Sequence, residues 1–220
     1  MKTKTTVRQS SARRPVVAAR AAKLDLGKLF RAEYAAPRKP VLFETAPSCY
    51  LAVDGQGAPG GAIFQARIGA LYAIAYTVKM TRKFSGGQDY TISRLEGRYL
   101  NLGCDPMPPK EQWRWQLLIR TPEFVAAEEL ARAVAVLRKR GKEGDAAMVR
   151  LETIAEGRCV QMLHVGPYEQ EGDTVAVMAQ AAAAQGLRLS GPHHEIYLSD
   201  PRRVAPAKLK TILRLPTVPE

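Results

Sequence analysis

The clearest pattern in the chain lies at residues 193–199, where polar and apolar side chains alternate. The odd-numbered positions carry His, Glu, Tyr and Ser, and the even-numbered positions carry His, Ile and Leu. Because successive side chains of a strand point to opposite faces, the segment predicts a strand with Glu195 and Tyr197 on one face and Ile196 on the other. An Asp-Pro pair then ends the predicted strand, since proline cannot donate a ladder hydrogen bond.

Two stretches of the chain predict the same order of elements: strand, helix, strand, strand. They are residues 48–55, 62–83, 91–100 and 113–120 in the first half, and residues 158–165, 169–185, 193–199 and 209–215 in the second. We therefore predict an α+β fold of duplicated modules, at about 45–121 and about 149–218. The modules are expected to form a pseudo-twofold antiparallel sheet with helices on one face and a central ligand cleft, where small molecules bind most often.

A further helix, at about 122–140, is predicted to link the modules. Thr121 is its expected N-cap, and Pro122 occupies the first helical turn. A short helical turn is predicted at 24–30 and another strand near 149–154.

Most of the positive net charge of the chain lies in its N-terminal residues. The chain of 220 residues has a net charge of +12, and residues 1–24 contribute +7 because they contain no acidic residue. We predict a disordered basic tail at 1–22 before a single domain at 23–220. A nucleic-acid arm or an organellar transit peptide are the alternatives for this tail, and no other nucleic-acid contact is expected. The apolar-leaning stretch 62–80 contains charged residues, so we expect no membrane segment.

Cysteine and histidine positions argue against a metal site. Cys49, Cys104 and Cys159 are far apart and form no Cys-x-x-Cys pair, which is typical of a reduced, cytoplasmic protein. His193 and His194 face opposite sides of their predicted strand and cannot chelate one ion together. We expect neither a metal nor a cofactor.

Several short motifs occur in an order that resembles a known family. They are Tyr50–Gly57, Leu95-Glu96-Gly97, Trp113-Arg114-Trp115, His164-Val165-Gly166-Pro167-Tyr168 and the segment 193–203. In these the chain resembles the GyrI-like small-molecule-binding family, whose fold is shared with effector domains of multidrug-responsive transcription regulators. The segment 193–203 is most similar to a stand-alone branch that includes hydrolases of cyclopropanoid DNA-alkylating natural products. About 45 residues precede the first module strand, so we expect no fused DNA-binding domain.

One position departs from that family. Members often carry tryptophan two residues after the Leu-Glu-Gly motif, whereas this chain has Tyr99, and Arg98 stands where an apolar residue is usual. The departure implies a different ligand preference within the same fold.

The resemblance implies catalytic roles for Glu195 and Tyr197. A carboxylate in an aromatic-lined cleft is suited to accept a proton from water or to pair with a cationic ligand. Tyr197, on the same face, could donate a hydrogen bond to developing negative charge. The expected ligand-binding residues are Glu96, Tyr99, Tyr168, Trp115, Tyr76 and His164. The alternatives are an ion pair with Arg94 or Arg98 for Glu96, and a hydrogen-bonded position in the core or at its rim for His164.

Three functions follow as hypotheses. The first is a cofactor-free hydrolase that detoxifies planar, electrophilic xenobiotics of the cyclopropanoid type. The second is a protein that sequesters a planar aromatic or cationic small molecule without turnover. The third is an interaction protein that protects gyrase. Either a monomer or a homodimer is compatible with the sequence.

Overall fold

The computed structural model describes residues 22–102 and 106–220. The predicted disordered tail therefore lies outside the described residues, apart from its last residue, and so does Cys104. In the described residues the chain forms four α-helices and nine strands. The helices are α1 (Leu26–Leu29), α2 (Ala62–Phe84), α3 (Ala127–Lys139) and α4 (Glu171–Ala183); the strands are β1 (Val41–Thr45), β2 (Ser48–Gln56), β3 (Leu95–Tyr99), β4 (Arg114–Arg120), β5 (Arg150–Ile154), β6 (Gly157–Val165), β7 (Leu187–Leu189), β8 (His193–Tyr197) and β9 (Lys210–Pro219).

The strands form one antiparallel sheet in the order β1-β6-β9-β8-β3-β4-β2-β5, with β7 paired to β9. Module one contributes β3-β4-β2 and module two contributes β8-β9-β6, so the two orders mirror each other about the β3–β8 pair. At that pair Gly97 faces Glu195 and Arg98 faces His194. The predicted α+β fold of two duplicated modules in a pseudo-twofold sheet is confirmed.

Alternation along the strands places the main core on one face of the sheet. Leu51, Val53, Leu117 and Ile119 point to this face and are almost fully buried. Helix α2 covers them with Leu71, Ile74 and Val78, which recur at helical spacing. Helix α4 covers module two on the same face, where Met178 packs against Val160 and Leu213. None of the described helices combines the length and the apolar character that a membrane crossing requires.

The opposite face of the sheet is covered by the segment that leads from α1 to β1. Its backbone accepts hydrogen bonds from the sheet, through Ala35 O from Gln161 Nε2 at 2.7 Å and through Pro37 O from Leu163 N at 2.7 Å. Glu33 of this segment is buried in an ion pair with Arg120 at 2.8 Å. These bonds hold the segment against the sheet, and the segment shields the charged side chains of this face from water.

A buried charge network lies under that segment. The His194 side chain is sandwiched between two carboxylates, with Nδ1 3.0 Å from Glu156 and Nε2 3.0 Å from Glu96. Tyr34 donates a further hydrogen bond to Glu96 at 2.7 Å, and Arg214 lies 3.6 Å from Glu156. Each carboxylate therefore has hydrogen-bonding and charged partners, which is the condition for keeping such groups in a protein interior.

Three details differ from the sequence-based predictions. Helix α3 begins at Ala127 rather than at Pro122, because Thr121 still donates its backbone N–H to Cys49 O of β2, and Glu129 accepts the N–H of Ala126 instead. Strand β3 begins at Leu95 rather than at residue 91, since Tyr90 and Thr91 are paired with Leu24 of the N-terminal segment. Neither β1 nor β7 has a strand pattern that the sequence alone would predict.

The charge network gives a stability prediction. Burial alone raises the pKa of Glu156, but the facing His194, together with Arg214 and Arg98, outweighs burial and lowers the pKa from 4.5 to about 2. Glu156→Gln removes the negative charge and leaves those cations buried, so we expect a loss of about 3–5 kcal/mol in the free energy of unfolding at pH 7, measured with urea.

The pH dependence has a definite sign. A carboxyl group with a lowered native pKa stabilises the fold fully above pH 4.5 and loses that contribution as the pH falls toward 2. The stability difference between wild type and Glu156→Gln should therefore shrink over this interval. Glu143→Gln, in an exposed pair with Arg138, is the matched control and should leave stability nearly unchanged. A constant difference between pH 5 and pH 2.5 would contradict the assignment.

Candidate functional site

A cleft of about 1280 Å³ opens on the helix-covered face, over the β3–β8 pair. Both modules contribute to it. Its residues come mainly from α2, β3, α4 and β8, with the loops before β4 and after β8 at its rim. The predicted central cleft between the modules is thus present.

Aromatic rings form much of the cleft lining. Tyr99 and Trp113 contact each other edge to face with ring centroids 5.9 Å apart, and Tyr168 contacts Tyr197 in the same way at 6.2 Å. Phe64 of α2 adds a further ring. Flat apolar molecules bind well between such rings, because they bury a large area and meet a favourable ring geometry.

Two tyrosine hydroxyls meet at the floor of the cleft. Tyr99 Oη and Tyr197 Oη are 2.9 Å apart. Burial and the nearby Glu195 carboxylate raise the pKa of both phenols well above 10, so both remain protonated donors. Gly97 makes this arrangement possible, since a Cβ at that position would lie 2.7 Å from Tyr197 Oη.

A cluster of two carboxylates and one imidazole lies beside the tyrosines. His193 Nε2 is 3.4 Å from Glu171 Oε2 and 3.4 Å from Glu195 Oε1. Burial and the Glu195 carboxylate raise the pKa of Glu171 to about 8. Burial by itself lowers the pKa of His193, but the two carboxylates outweigh burial and raise it to about 9. Glu171 and His193 can therefore both carry a proton near neutral pH, at the floor of the cleft and next to its aromatic wall.

The connection between β6 and α4 places Glu171 and Tyr168. Gly166 adopts a φ of +147°, which favours glycine, and lets the chain turn from the strand toward the helix. His164 then fixes the turn, because its Nε2 donates to Pro167 O at 3.1 Å and its Nδ1 is hydrogen-bonded to Thr174 Oγ1 of α4 at 2.9 Å. The first turn of α4 consequently faces β8.

Comparisons with known proteins agree with this architecture. The chain is 42% identical to an uncharacterized conserved protein from Listeria innocua, with a TM-score of 0.83 over 89% of this chain and 100% of that one. A family model described as the GyrI-like small molecule binding domain matches residues 119–217. The chain belongs to the GyrI-like family.

Two further structures resemble this GyrI-like protein. A hydrolase from Listeria innocua is 40% identical, with a TM-score of 0.83, and the match covers 90% of this chain and 100% of that one. The EcmrR C-terminal domain is 12% identical with a TM-score of 0.53, over 83% of this chain and 98% of that one, and shares the fold. A search of curated protein sequences gives no match.

Four of the predicted site residues lie together in the cleft of this GyrI-like protein. Glu195 and Tyr197 point into it from β8, Tyr99 from β3, and Tyr168 from the turn before α4. Strand alternation accounts for the first two, since the odd-numbered residues of β8 face the helices.

The other four predicted site residues do not line the cleft. Glu96 and His164 have their hydrogen-bond partners elsewhere, Glu96 in the network on the opposite face and His164 behind the turn before α4. Trp115 is fully buried in the core and donates to Gly57 O, and Tyr76 is 55% exposed on α2. Their sequence neighbours Trp113 and Tyr72, respectively two residues before Trp115 and one helical turn before Tyr76, line the cleft instead.

Sequence reasoning missed Glu171 and His193 as partners of Glu195. Alternation places His193 on the same face as Glu195, but it does not show that the two side chains contact each other. Glu171 is the first residue of α4, whereas the sequence predicts that this helix begins at residue 169. The predicted boundary therefore does not single out Glu171 among its neighbours. The repeat itself could have indicated Glu171, because the helix of each module is expected to pack over the sheet close to the β3–β8 pair.

The two tryptophans provide a test of the cleft. Trp113 is partly exposed in the cleft, and Trp115 is fully buried. In Trp113→Phe, where Trp115 is the remaining emitter, we expect blue-shifted fluorescence and a several-fold lower acrylamide quenching constant than in wild type. Quenching as strong as that of wild type would place Trp115 at the surface and contradict this description.

Proposed function

We propose that this GyrI-like protein is a hydrolase of planar electrophiles that carry a strained cyclopropane ring. The observation that carries the proposal is the position of Glu195, a buried carboxylate at the floor of an aromatic cleft, within reach of two tyrosine hydroxyls. A 40% identical structure described as a hydrolase supports this class of activity. Detoxification of such compounds is the corresponding biological role.

The cleft suits a flat substrate. Trp113 of module one and Tyr168 and Tyr197 of module two are partly exposed in the cleft, so both modules offer ring surfaces for stacking. The open rim, near Arg94 and Asp200, accommodates polar substituents. Binding in this way would hold the strained ring over β8 and orient it toward Glu195, which is the contribution of positioning to the rate.

The chemical step is addition of water. The oxygen of a water molecule attacks a ring carbon while Glu195 accepts its proton. One C–C bond of the cyclopropane breaks, and its electron pair moves to the oxygen of a conjugated carbonyl group. A hydroxyl of the Tyr99–Tyr197 pair donates a hydrogen bond to that oxygen as its negative charge develops, and a proton then converts it to a hydroxyl.

The described cysteines support a cytoplasmic location for this activity. Cys49 and Cys159 are both free thiols, and burial raises the pKa of Cys159 to about 12, so its thiol is unreactive. Unpaired thiols of this kind are typical of reducing compartments. Soluble xenobiotics that reach the cytoplasm would then be the natural substrates.

Glu195→Gln tests the proposed base. With a planar cyclopropanoid DNA-alkylating compound as substrate, we expect kcat to fall by about 10²–10⁴-fold, because the amide cannot accept the proton from water. Binding, followed by quenching of Trp113 fluorescence, should persist. Product is measured by liquid chromatography and mass spectrometry, with metal-free protein in EDTA.

The matched control is Glu169→Gln, which changes an exposed carboxylate at the mouth of the same cleft. It should retain wild-type turnover. If wild-type protein binds the compound stoichiometrically without forming product, the protein sequesters its ligand and the hydrolase proposal is wrong.

Tyr197→Phe tests the hydrogen-bond donor. Loss of one donor to a developing oxyanion costs about 10²–10³-fold in kcat in comparable sites. Since Tyr99 retains its hydroxyl, we expect the lower part of this range or less, with KM little changed. Tyr76→Phe removes an exposed hydroxyl outside the cleft and should have no effect. Equal kcat values for the two variants would remove Tyr197 from the mechanism.

A further inference from the structure

The floor of the cleft contains three side chains whose donor atoms converge. One carboxylate oxygen of Glu171, one ring nitrogen of His193 and one carboxylate oxygen of Glu195 lie within 4.8 Å of one another. They come from two elements, α4 and β8, that the β6–α4 turn holds against each other. The convergence is therefore fixed by the fold and not by a flexible loop.

These donor atoms lack the partners that buried polar groups normally have. The Glu171 side chain is 9% exposed, yet among the described residues Oε1 has no hydrogen-bond partner, and neither does His193 Nε2. No lysine or arginine among the described residues forms an ion pair with Glu171 or Glu195. Leaving a buried acceptor unsatisfied costs about 1–3 kcal/mol, so the arrangement calls for a further partner.

The carboxylates on the other face of the sheet show the contrast. Glu96 accepts hydrogen bonds from Tyr34 and His194, and Glu156 is bonded to His194 and lies near Arg214. On that face each buried acid has close hydrogen-bond partners, whereas in the cleft the two carboxylates share the more distant His193, at 3.4 Å. This difference points to a cationic ligand at the cleft floor.

The ligand types, together with the two distances to His193, favour one class of cation. His193 Nε2 is 3.4 Å from a carboxylate oxygen on either side, which is long for a hydrogen bond. In a tetrahedral site with bonds of about 2.1 Å, two ligand atoms are about 3.4 Å apart. One imidazole nitrogen and two carboxylate oxygens suit Zn²⁺ or Co²⁺, whereas Mg²⁺ and Ca²⁺ prefer oxygen ligands alone.

We propose that Glu171, His193 and Glu195 bind one Zn²⁺-class ion, with a fourth coordination position open to the cleft. The proposal does not depend on turnover, because binding of the ion is measured without substrate. Coordination would occupy one oxygen of the carboxylate that the proposed hydrolysis uses as a base, so hydrolysis is measured on metal-free protein and ion binding on protein without substrate. The hydrolysis assay in EDTA and the metal titration therefore fail or succeed separately.

The experiment uses the full chain, freed of metal with EDTA and then dialysed. Zn²⁺ is titrated in competition with a chromophoric chelator, and Co²⁺ is added separately to record its visible absorption. We expect one Zn²⁺ per chain and the intense bands of four-coordinate Co²⁺. Glu171→Gln and Glu195→Gln should each weaken Zn²⁺ binding by at least about tenfold and remove the Co²⁺ bands, since a neutral amide is a poor ligand.

Glu169→Gln is the matched control, because it alters a carboxylate at the cleft mouth that is 70% exposed, and it should bind Zn²⁺ as wild type does. The other two histidines, His164 and His194, have both ring nitrogens hydrogen-bonded and should not contribute. Circular dichroism and thermal unfolding establish that the variants are folded. Absence of stoichiometric binding by wild type, or equal affinity in all variants, would overturn the proposal.

Discussion

Strands β3 and β8 pair where the two modules meet, with Gly97 opposite Glu195. Every feature of the cleft depends on this pairing. It brings the aromatic ring of Tyr99 from one module beside the tyrosine and carboxylate of the other, and the missing side chain of Gly97 leaves the space in which Tyr197 Oη lies. Because the helices of both modules pack on the same face, the junction is also the place where the two helices diverge and a cleft can open.

The charged side chains on the two faces of β8 are compensated to different extents. On the back, His194 is enclosed by Glu96 and Glu156, and the N-terminal segment seals the network from water. On the front, His193 and Glu195 face the cleft with fewer partners. A protein interior tolerates the first arrangement because its charges are mutually compensated, whereas the second leaves interaction energy available for a ligand.

Much of the fold could be predicted from the sequence, because the periodicities are strong. The 23-residue helix α2, the alternation of β8 and the repeated order of elements each reflect local patterns. The start of α3 could not be predicted from Thr121 and Pro122, since a tertiary contact, the backbone bond of Thr121 to β2, overrides the capping preference. Strands β1 and β7 are short edge segments whose pairing partners are distant in sequence.

The site was predictable only in part, for a related reason. Alternation indicates which side chains of β8 share a face, so Glu195 and Tyr197 could be placed together. It does not indicate which face of β3 meets the cleft, and Glu96 lies on the opposite face. Nor does it indicate depth, since Trp115 lies on the same face as Tyr99 and yet is buried in the core against Phe64. Nor does it reveal Glu171, which approaches β8 through the geometry of the β6–α4 turn.

The back-face network also determines the front of the sheet. A slip of one residue in a strand exchanges its two faces, and in β8 it would move Glu195 and Tyr197 from the cleft to the sealed face. The hydrogen bonds of His194 to Glu96 of β3 and to Glu156 make the observed register much more favourable than the slipped one. The same bonds that stabilise the sealed face thus hold His193, Glu195 and Tyr197 in the cleft. Changes in the sealed network would therefore alter ligand binding without touching the ligand.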